Sequence, residues 1–443
     1  MKRILAGIVI ILLLVIVVFA VIFTVAGRDV APPDTSDLVL KRVDLADEEN
    51  AYTWFIAATN HLYWPTNAEP VLDYLDGKPT DDAVVQDVVS RNAKAVEQIA
   101  LGCRRNACQA PEITGFDTVL PYLMPWRNLG RAMAVQARWE RLHSNHGAAT
   151  DTCILLLQFA DRIHYDADCV INYLVGIAIM DLGLKQVRDL ARDPATPSGD
   201  MAKLSNALGE LRAFDHGIVR GIKTEFRLAD RTINQIRDGT VDTTLLTGQA
   251  REEADSVLKS ARSLGYFYQP NKTKTVFAEF YRGMISNAPL CYAEMDLSGS
   301  GEDRVFQGGR AHMITRPNGV GRMLLGLLIP ALERILDTKC RMECTLAATR
   351  LVVACNGVAR QRGSLPESLG ELVPGLLAQV PADSFDGEPF RYDAQSGIVY
   401  SVGRDLEDGG GSTNAPESTH EDPRAKRWEA KDAVFRLLRE ETR

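Results

Sequence analysis

Near the C-terminus, residues 400–412 read YSVGRDLEDGGGS. A short β-like run delivers a loop with acids at Asp405, Glu407 and Asp408, and three glycines follow. Carboxylates on such a turn can take a hard cation, and glycine amides can cradle a phosphate. The phosphate option lacks the lysine and spacing of a P-loop, and Gly409 comes too soon after Asp405 for an EF-hand. Calcium takes about six to eight oxygens, so a solvated turn stands as the other reading. A second group is His143 and His146 in HSNH, with Asp166 and Asp168 one helix later. These types can bind a metal, but their spacing matches no recognised ligand motif, and ordinary loop polarity explains them equally. In YFYQPNKTKTVFAEFYR, residues 266–282, Lys272 and Lys274 lie among aromatics that could stack on single-stranded nucleic acid. With a formal charge of −8 and no basic block, core aromatics around a QPN turn are the better reading, and no nucleic-acid partner is expected. HExxH, GxSxG and CxxC are absent, and the glycines of GSGEDRVFQGG and NGVGR do not follow a strand as dinucleotide loops require.

Cys103 and Cys108 bracket RRNA and could pair in an oxidising compartment. Cys340, Cys344 and Cys355 fall on one helical side with Leu336, Ala347, Leu351 and Val358. They read as core thiols, because free cysteine packs as a small hydrophobe.

The elements that position these groups are mainly helical. At 443 residues, 46% hydrophobic and 24% charged, the chain has ordinary globular composition and length for two or three domains. Ile4–Gly27 holds no charge and at about 1.5 Å per residue spans a ~30 Å bilayer core. It is too long for a cleaved signal, so residues 1–28 are predicted to be an uncleaved transmembrane anchor. Lys2 and Arg3 against Arg28, Lys41 and Arg42 favour a cytoplasmic N-terminus with the body outside the inner membrane. Residues 29–46, with APPDTSD, read as an exit linker.

Residues 47–288 read as an all-α domain. Apolar stripes at steps of three and four mark Ala148–His164, Cys169–Arg192 and His216–Asp238, which need partner helices. Asp215 is expected to cap the third stripe and Gly239 to end it. Short loops predict helical hairpins, with tetratricopeptide-like stacking as one option. Residues 289–320 lack periodicity and read as an irregular connection. Residues 321–405 predict one long helix ending at Gly363, then SLPESLGELVP with Ser364 and Glu367 at capping-box spacing, then a β-hairpin from VPADSFDGEPFRY and IVYSV. Residues 406–424 read as a flexible loop. In the C-terminal segment, 425–443, DAVFRLL (432–438) fits either a strand or a helix.

VPADSFDGEPFRY, YSVGRDLEDGG, the proline-bearing helix around Pro330 and GSLPESLGELVP occur in the order found in the major pseudopilins of type II secretion. This end of the chain, about 100 residues, resembles them. The resemblance implies a long helix on a small antiparallel sheet, and a loop that binds calcium through a backbone carbonyl and aspartates. The matching positions are the Val402 carbonyl and Asp405, with Asp408 as a further acid. The family's acids after the glycines are replaced by Gly411, Ser412 and Thr413. The family's short leader, processing glycine and glutamate are missing too, and MLLGLL before Pro330 is too short to span a bilayer. Filament assembly is therefore not expected. Anchor, helical middle and such a tail together resemble large membrane-anchored bacterial proteins, which implies no activity. The expected function is a membrane-tethered, extracytoplasmic interaction or scaffold protein without catalysis, linked to cell-envelope or secretion-type assemblies and binding a protein partner. The alternative is a membrane-anchored hydrolase whose site is gathered from distant acids and histidines.

Overall fold

The apolar stripes become helices that can be buried only against one another. The structure is a computed structural model; it describes residues 24–115, 118–241, 265–297, 317–415 and 426–438, with positions 13, 14, 17, 21 and 252, and omits the side chains of 323 and 325–333. Eleven α-helices are described: α1 Ala51–Thr59, α2 Glu69–Leu75, α3 Asp82–Arg91, α4 Ala93–Cys103, α5 Leu123–Leu142, α6 His146–Tyr165, α7 Val170–Ala191, α8 Ser198–Glu210, α9 Phe214–Asp238, α10 Pro270–Asn287 and α11 Gly319–Arg362. The short turns between α5, α6 and α7 fold these helices back on one another. α1 pairs with α4, α2 and α3 cover α5, and α9 lies across α6, α7 and α10.

Two helix crossings are unusually close. A Cβ on Gly176 of α7 would lie 2.6 Å from the His164 amide nitrogen, and one on Gly217 of α9 would lie 1.8 Å from the His164 carbonyl oxygen. Only glycine lets both helices approach the end of α6 this tightly.

The 44-residue α11 continues through Pro330 and ends at Gly363, in the left-handed region at φ 79°. The predicted stripe Leu336, Cys340, Cys344, Ala347, Leu351 and Val358 is buried. Burial also extends round the helix to Met342, Leu346, Ala348, Val352 and Val353, as expected for a central helix rather than a surface one. A three-stranded antiparallel sheet packs on it, ordered β1 (Arg391–Asp393), β2 (Ile398–Ser401), β3 (Ala433–Arg436). Tyr392 pairs with Val399, and Val399 with Phe435. The hairpin is as expected, and within 432–438 the four residues Ala433–Arg436 form a strand.

Arginines join the C-terminal end to the helical body. Arg350 Nη2 donates to Leu208 O, Arg360 Nη2 to Ala191 O and Asp193 O, and Arg192 Nη2 to Arg436 O, each at 2.7 Å. The first two carbonyls belong to the last turns of α8 and α7, where a cation is favourable. One continuous hydrophobic core runs through both parts.

Several local expectations change. α9 begins at Phe214, so Asp215 lies in its first turn and does not cap it, while Gly239 does end it at φ 74°. The capping box is Ser368 with Glu371, not Ser364 with Glu367. Residues 29–46 are a strap rather than a free linker. Leu38 is buried in the core, Arg282 Nη2 grips Asp37 Oδ1 and Asp34 O, each at 2.7 Å, and Arg42 Nη1 reaches Asp168 Oδ2 at 3.1 Å.

Most of Ile4–Gly27 lies outside the described residues, as does 416–424 of the expected flexible loop. Within the apolar run, Leu13, Leu14, Val17, Val21 and Val25 are helical and 55–60% exposed. Among the described residues one helix, Val170–Ala191, is long and apolar enough to cross a membrane, but 67% of its apolar window is buried inside the protein. It serves as a core helix.

Candidate functional site

The acidic C-terminal loop is organised by two carboxylates outside the motif. Asp383 and Asp432 are fully buried. Asp383 Oδ1 accepts from Ser401 Oγ at 2.8 Å and Phe385 N at 3.0 Å, and its Oδ2 accepts from Val402 N at 2.9 Å. The Cys344 thiol donates to Asp383 Oδ1 at 3.2 Å. Asp432 accepts from Gly409 N at 3.1 Å and Ser412 N at 2.8 Å. Each caps backbone amides that β2 and the glycine turn leave unpaired.

The three residues matched to a calcium loop are placed as follows. Val402 is buried beside Asp383. Asp405 is exposed, and its Oδ1 accepts from Glu407 N at 3.1 Å, closing a turn in which Leu406 sits at φ 61°. Asp408 Oδ1 accepts from Tyr400 Oη at 3.1 Å and Gly410 N at 2.9 Å. The cation already there is Arg391. Its guanidinium lies 3.4 Å from Asp383 Oδ2 and 3.8 Å from Asp408 Oδ2, and it also pairs with Asp386, with Nη1 donating to Oδ1 at 3.0 Å. Calcium needs about six to eight oxygens. With Asp408 committed to amide, phenol and guanidinium, the residues present do not fit that ion. Among the described residues no group of three or more His, Cys, Asp or Glu side chains is placed to hold a metal.

HSNH does not meet the acids of the α6–α7 turn. His143 Nδ1 lies 2.9 Å from Trp139 O, and its ring sits on Trp139 at 3.7 Å between centroids. His146 lies 3.7 Å from Asp193. Asp166 and Asp168 are at the opposite end of α6, roughly 30 Å away at ~1.5 Å per residue.

At that end a dense charged cluster forms. Arg212, between α8 and α9, wraps Asp161: Nε to Oδ2 at 2.7 Å, the backbone amide to Oδ1 at 3.0 Å and Nη2 to the Asp161 carbonyl at 3.1 Å. Its guanidinium covers the Tyr165 ring at 3.8 Å and reaches Asp166 at 3.8 Å. Asp166 Oδ2 accepts from Cys108 N at 3.0 Å. Asp168, 1% exposed in its side chain, lies 3.0 Å from Arg220 Nη2 and 3.1 Å from Arg42 Nη1.

His164, fully buried, stacks on Phe214 at 4.7 Å, and its Nε2 stands 3.5 Å from Asp161 Oδ1. Burial pushes its pKa down, against the pull of Asp161. Burial pushes the Asp161 carboxyl up, but His164 and Arg212 hold it below its ordinary value. Because burial disfavours a charged His164, Arg212 is the partner that counts. For Asp166 and Asp168 burial prevails over the arginines and raises both carboxyls. Beside the cluster opens a cavity of about 120 Å³ lined by Gln158, Asp161, Arg162, Glu210, Arg212 and the apolar Ile154, Leu157 and Leu211.

The aromatics of 266–282 are used inside. Tyr268, Phe277, Phe280 and Tyr281 are buried, Tyr268 Oη donates to Ile233 O at 2.8 Å, and Lys274 pairs with Asp230 at 2.7 Å. Cys103 and Cys108 are both free and buried. Burial raises the Cys103 thiol to about 12 and Cys108 well above the ordinary thiol range, so neither is an activated nucleophile. Sequence reasoning missed Asp161, Arg212, Asp383, Arg391 and Asp432. No protein family, curated protein or solved structure matches the chain.

Proposed function

We propose that the chain is a membrane-tethered, extracytoplasmic interaction protein, a scaffold in cell-envelope or secretion-type assemblies whose helical body carries the contact with a protein partner. The observation that carries this reading is the chemistry of the charged cluster. Asp161 and Asp168 are held by guanidinium groups from other parts of the chain, and Asp166 by a backbone amide. Carboxylates so engaged fasten the strap, the α6–α7 turn and α9 together. They are poor general bases, and the adjacent imidazole is walled in by Phe214 and the two glycine crossings. The hydrolase reading needs an acid and a histidine that can meet substrate, and the small cavity offers Asp161 already wrapped by Arg212.

The helical hairpins of α5–α7 support a tetratricopeptide-like reading of the body, and α11 followed by the antiparallel sheet supports a pseudopilin-like reading of the C-terminal end. In this account the arginine seam makes that end part of one scaffold. The test is cross-linking in intact membranes, then detergent extraction, pull-down and mass spectrometry. A stoichiometric protein partner is expected. Hydrolysis of a small substrate by the purified chain, lost in Asp161→Asn, would instead favour the enzyme. Protease added to intact spheroplasts should digest the body, and full protection until lysis would reverse the orientation.

A further inference from the structure

The N-terminal helix leaves the body at a fixed corner. Exposure is high at Val21 and Val25 and drops at Ala26 and Gly27. From there contact is continuous. Gln269 Nε2 donates to Ala26 O at 2.5 Å, and a Cβ on Gly265 would meet Gly27 O at 2.8 Å. Asp29 then accepts from Asn271 N at 2.9 Å and Lys272 N at 3.0 Å, satisfying two first-turn amides of α10. Asn271 Nδ2 donates to Val30 O at 2.9 Å. The start of α11 closes the corner, with Asn318 Oδ1 accepting from Gln269 N at 2.9 Å and Asn318 N donating to Tyr266 O at 2.8 Å.

We infer that this corner is a lipid-facing surface: the first turn of α10, with Arg28 and Lys272, rests on the phosphate headgroups and holds the body at one orientation to the bilayer. The inference rests on the tether reading and adds a defined contact face to it. Reach makes the argument. Only Arg28 separates Gly27, the end of the apolar run, from Asp29, two chain steps that span at most about 7 Å. The headgroup layer is itself roughly 5–8 Å thick per leaflet. An α10 terminus bonded to Asp29 therefore cannot stand clear of it.

Charge agrees. Arg28 and Lys272 are exposed and have no ion-pair partner among the described residues, whereas the nearby Arg237 and Lys274 are neutralised by Asp238 and Asp230. Asp29, itself exposed, is engaged by the α10 amides of Asn271 and Lys272. The far end of the molecule is distinct. Arg350 of α11 holds Leu208, beside the exposed Gly209, and lies roughly 45 Å along α11 from its start at about 1.5 Å per residue.

The test uses the full chain in vesicles that carry a nitroxide on the lipid headgroup. A fluorescent amino acid replaces Lys272 in one variant and Gly209 in another. Several-fold stronger quenching at 272 than at 209 is expected, and Asp29→Ala, which removes two of the bonds that hold the corner, should lower the 272 signal. Chain that floats with the vesicles but shows equal quenching at both positions overturns the fixed contact face and leaves the tether standing. Chain that does not float with the vesicles removes the tether reading and this inference together.

Discussion

Two acidic turns in this protein solve the same problem with different partners. In the α6–α7 turn, Asp161, Asp166 and Asp168 recruit guanidinium groups from the strap, the α8–α9 connection and α9. Around the C-terminal loop, Asp383 and Asp432 recruit mainly backbone amides, with Arg391 as the one cation on them among the described residues. The first arrangement fastens distant elements, and its arginines remain about one-fifth exposed. The second fixes the course of a single loop around carboxylates that see no solvent. A cluster of acids in a sequence is thus compatible with metal, catalysis or scaffolding, and the donors that reach it decide among them.

The comparison predicts unequal costs. Asp383→Ala removes the acceptor of two amides, a hydroxyl and a thiol in a sealed site, and leaves Arg391 short of a partner. A loss of roughly 3–5 kcal/mol is expected, read as a large drop in the denaturation midpoint. Asp168→Ala strands Arg42 and Arg220, but both can turn toward water, so about 1–3 kcal/mol is expected. The strap should also loosen, seen as faster proteolysis near Arg42. Equal losses at the two sites would break the distinction drawn between them.

His164 gives a smaller effect with a defined sign. Its folded pKa is depressed, chiefly by burial, so the unfolded chain binds the proton more readily. The stability contributed by neutral His164 is full above about pH 6.5 and is lost as pH falls below that value. Asp161, Arg212 and Asp166 are the charged groups that face the ring. One differential proton gives at most about 1.4 kcal/mol per pH unit. His164→Phe, which keeps the stack on Phe214, should flatten the melting-temperature profile between pH 5 and 6.5. His216, also depressed mainly by burial, leaves a residual slope.

Much of the frame was legible in the residues. Ile218, Ile222, Phe226, Ala229, Ile233 and Ile236 announced α9 through their spacing, and Gly239 and Gly363 announced helix ends. The hairpin of β1 and β2 followed from its flanking turn. What stayed hidden depends on contacts far apart in sequence. Nothing near Asp161 points to Arg212, 51 residues on, or near Val402 to Asp383. The segment 432–438 was ambiguous because its seven residues fit either period, and only pairing of its β3 with β2 decides it. The strap looked like a linker because APPDTSD breaks helices, yet breaking a helix does not free a chain that buries Leu38. One usable signal was passed over: three aspartates and a histidine in eight residues at a helix end, Asp161 to Asp168, rarely go without cations brought from elsewhere.

The smallest expected effect belongs to the residue that first suggested a metal. Asp405 is exposed and closes only its own turn onto Glu407. Asp405→Ala should therefore shift the melting temperature of the full chain by no more than about 1 °C, in line with ordinary surface substitutions. Millimolar calcium against chelator should leave both the parent and the variant unmoved, because Asp408 is already engaged by Tyr400, Gly410 and Arg391. A calcium loop behaves otherwise: ligand at about a hundred times its Kd stabilises the folded state by roughly 2.7 kcal/mol. A calcium-dependent rise in the parent that Asp405→Ala abolishes would show that the loop can open and rebuild itself around the ion. The contrast between the two acidic turns would then become one between a permanent guanidinium clamp and an exchangeable cation.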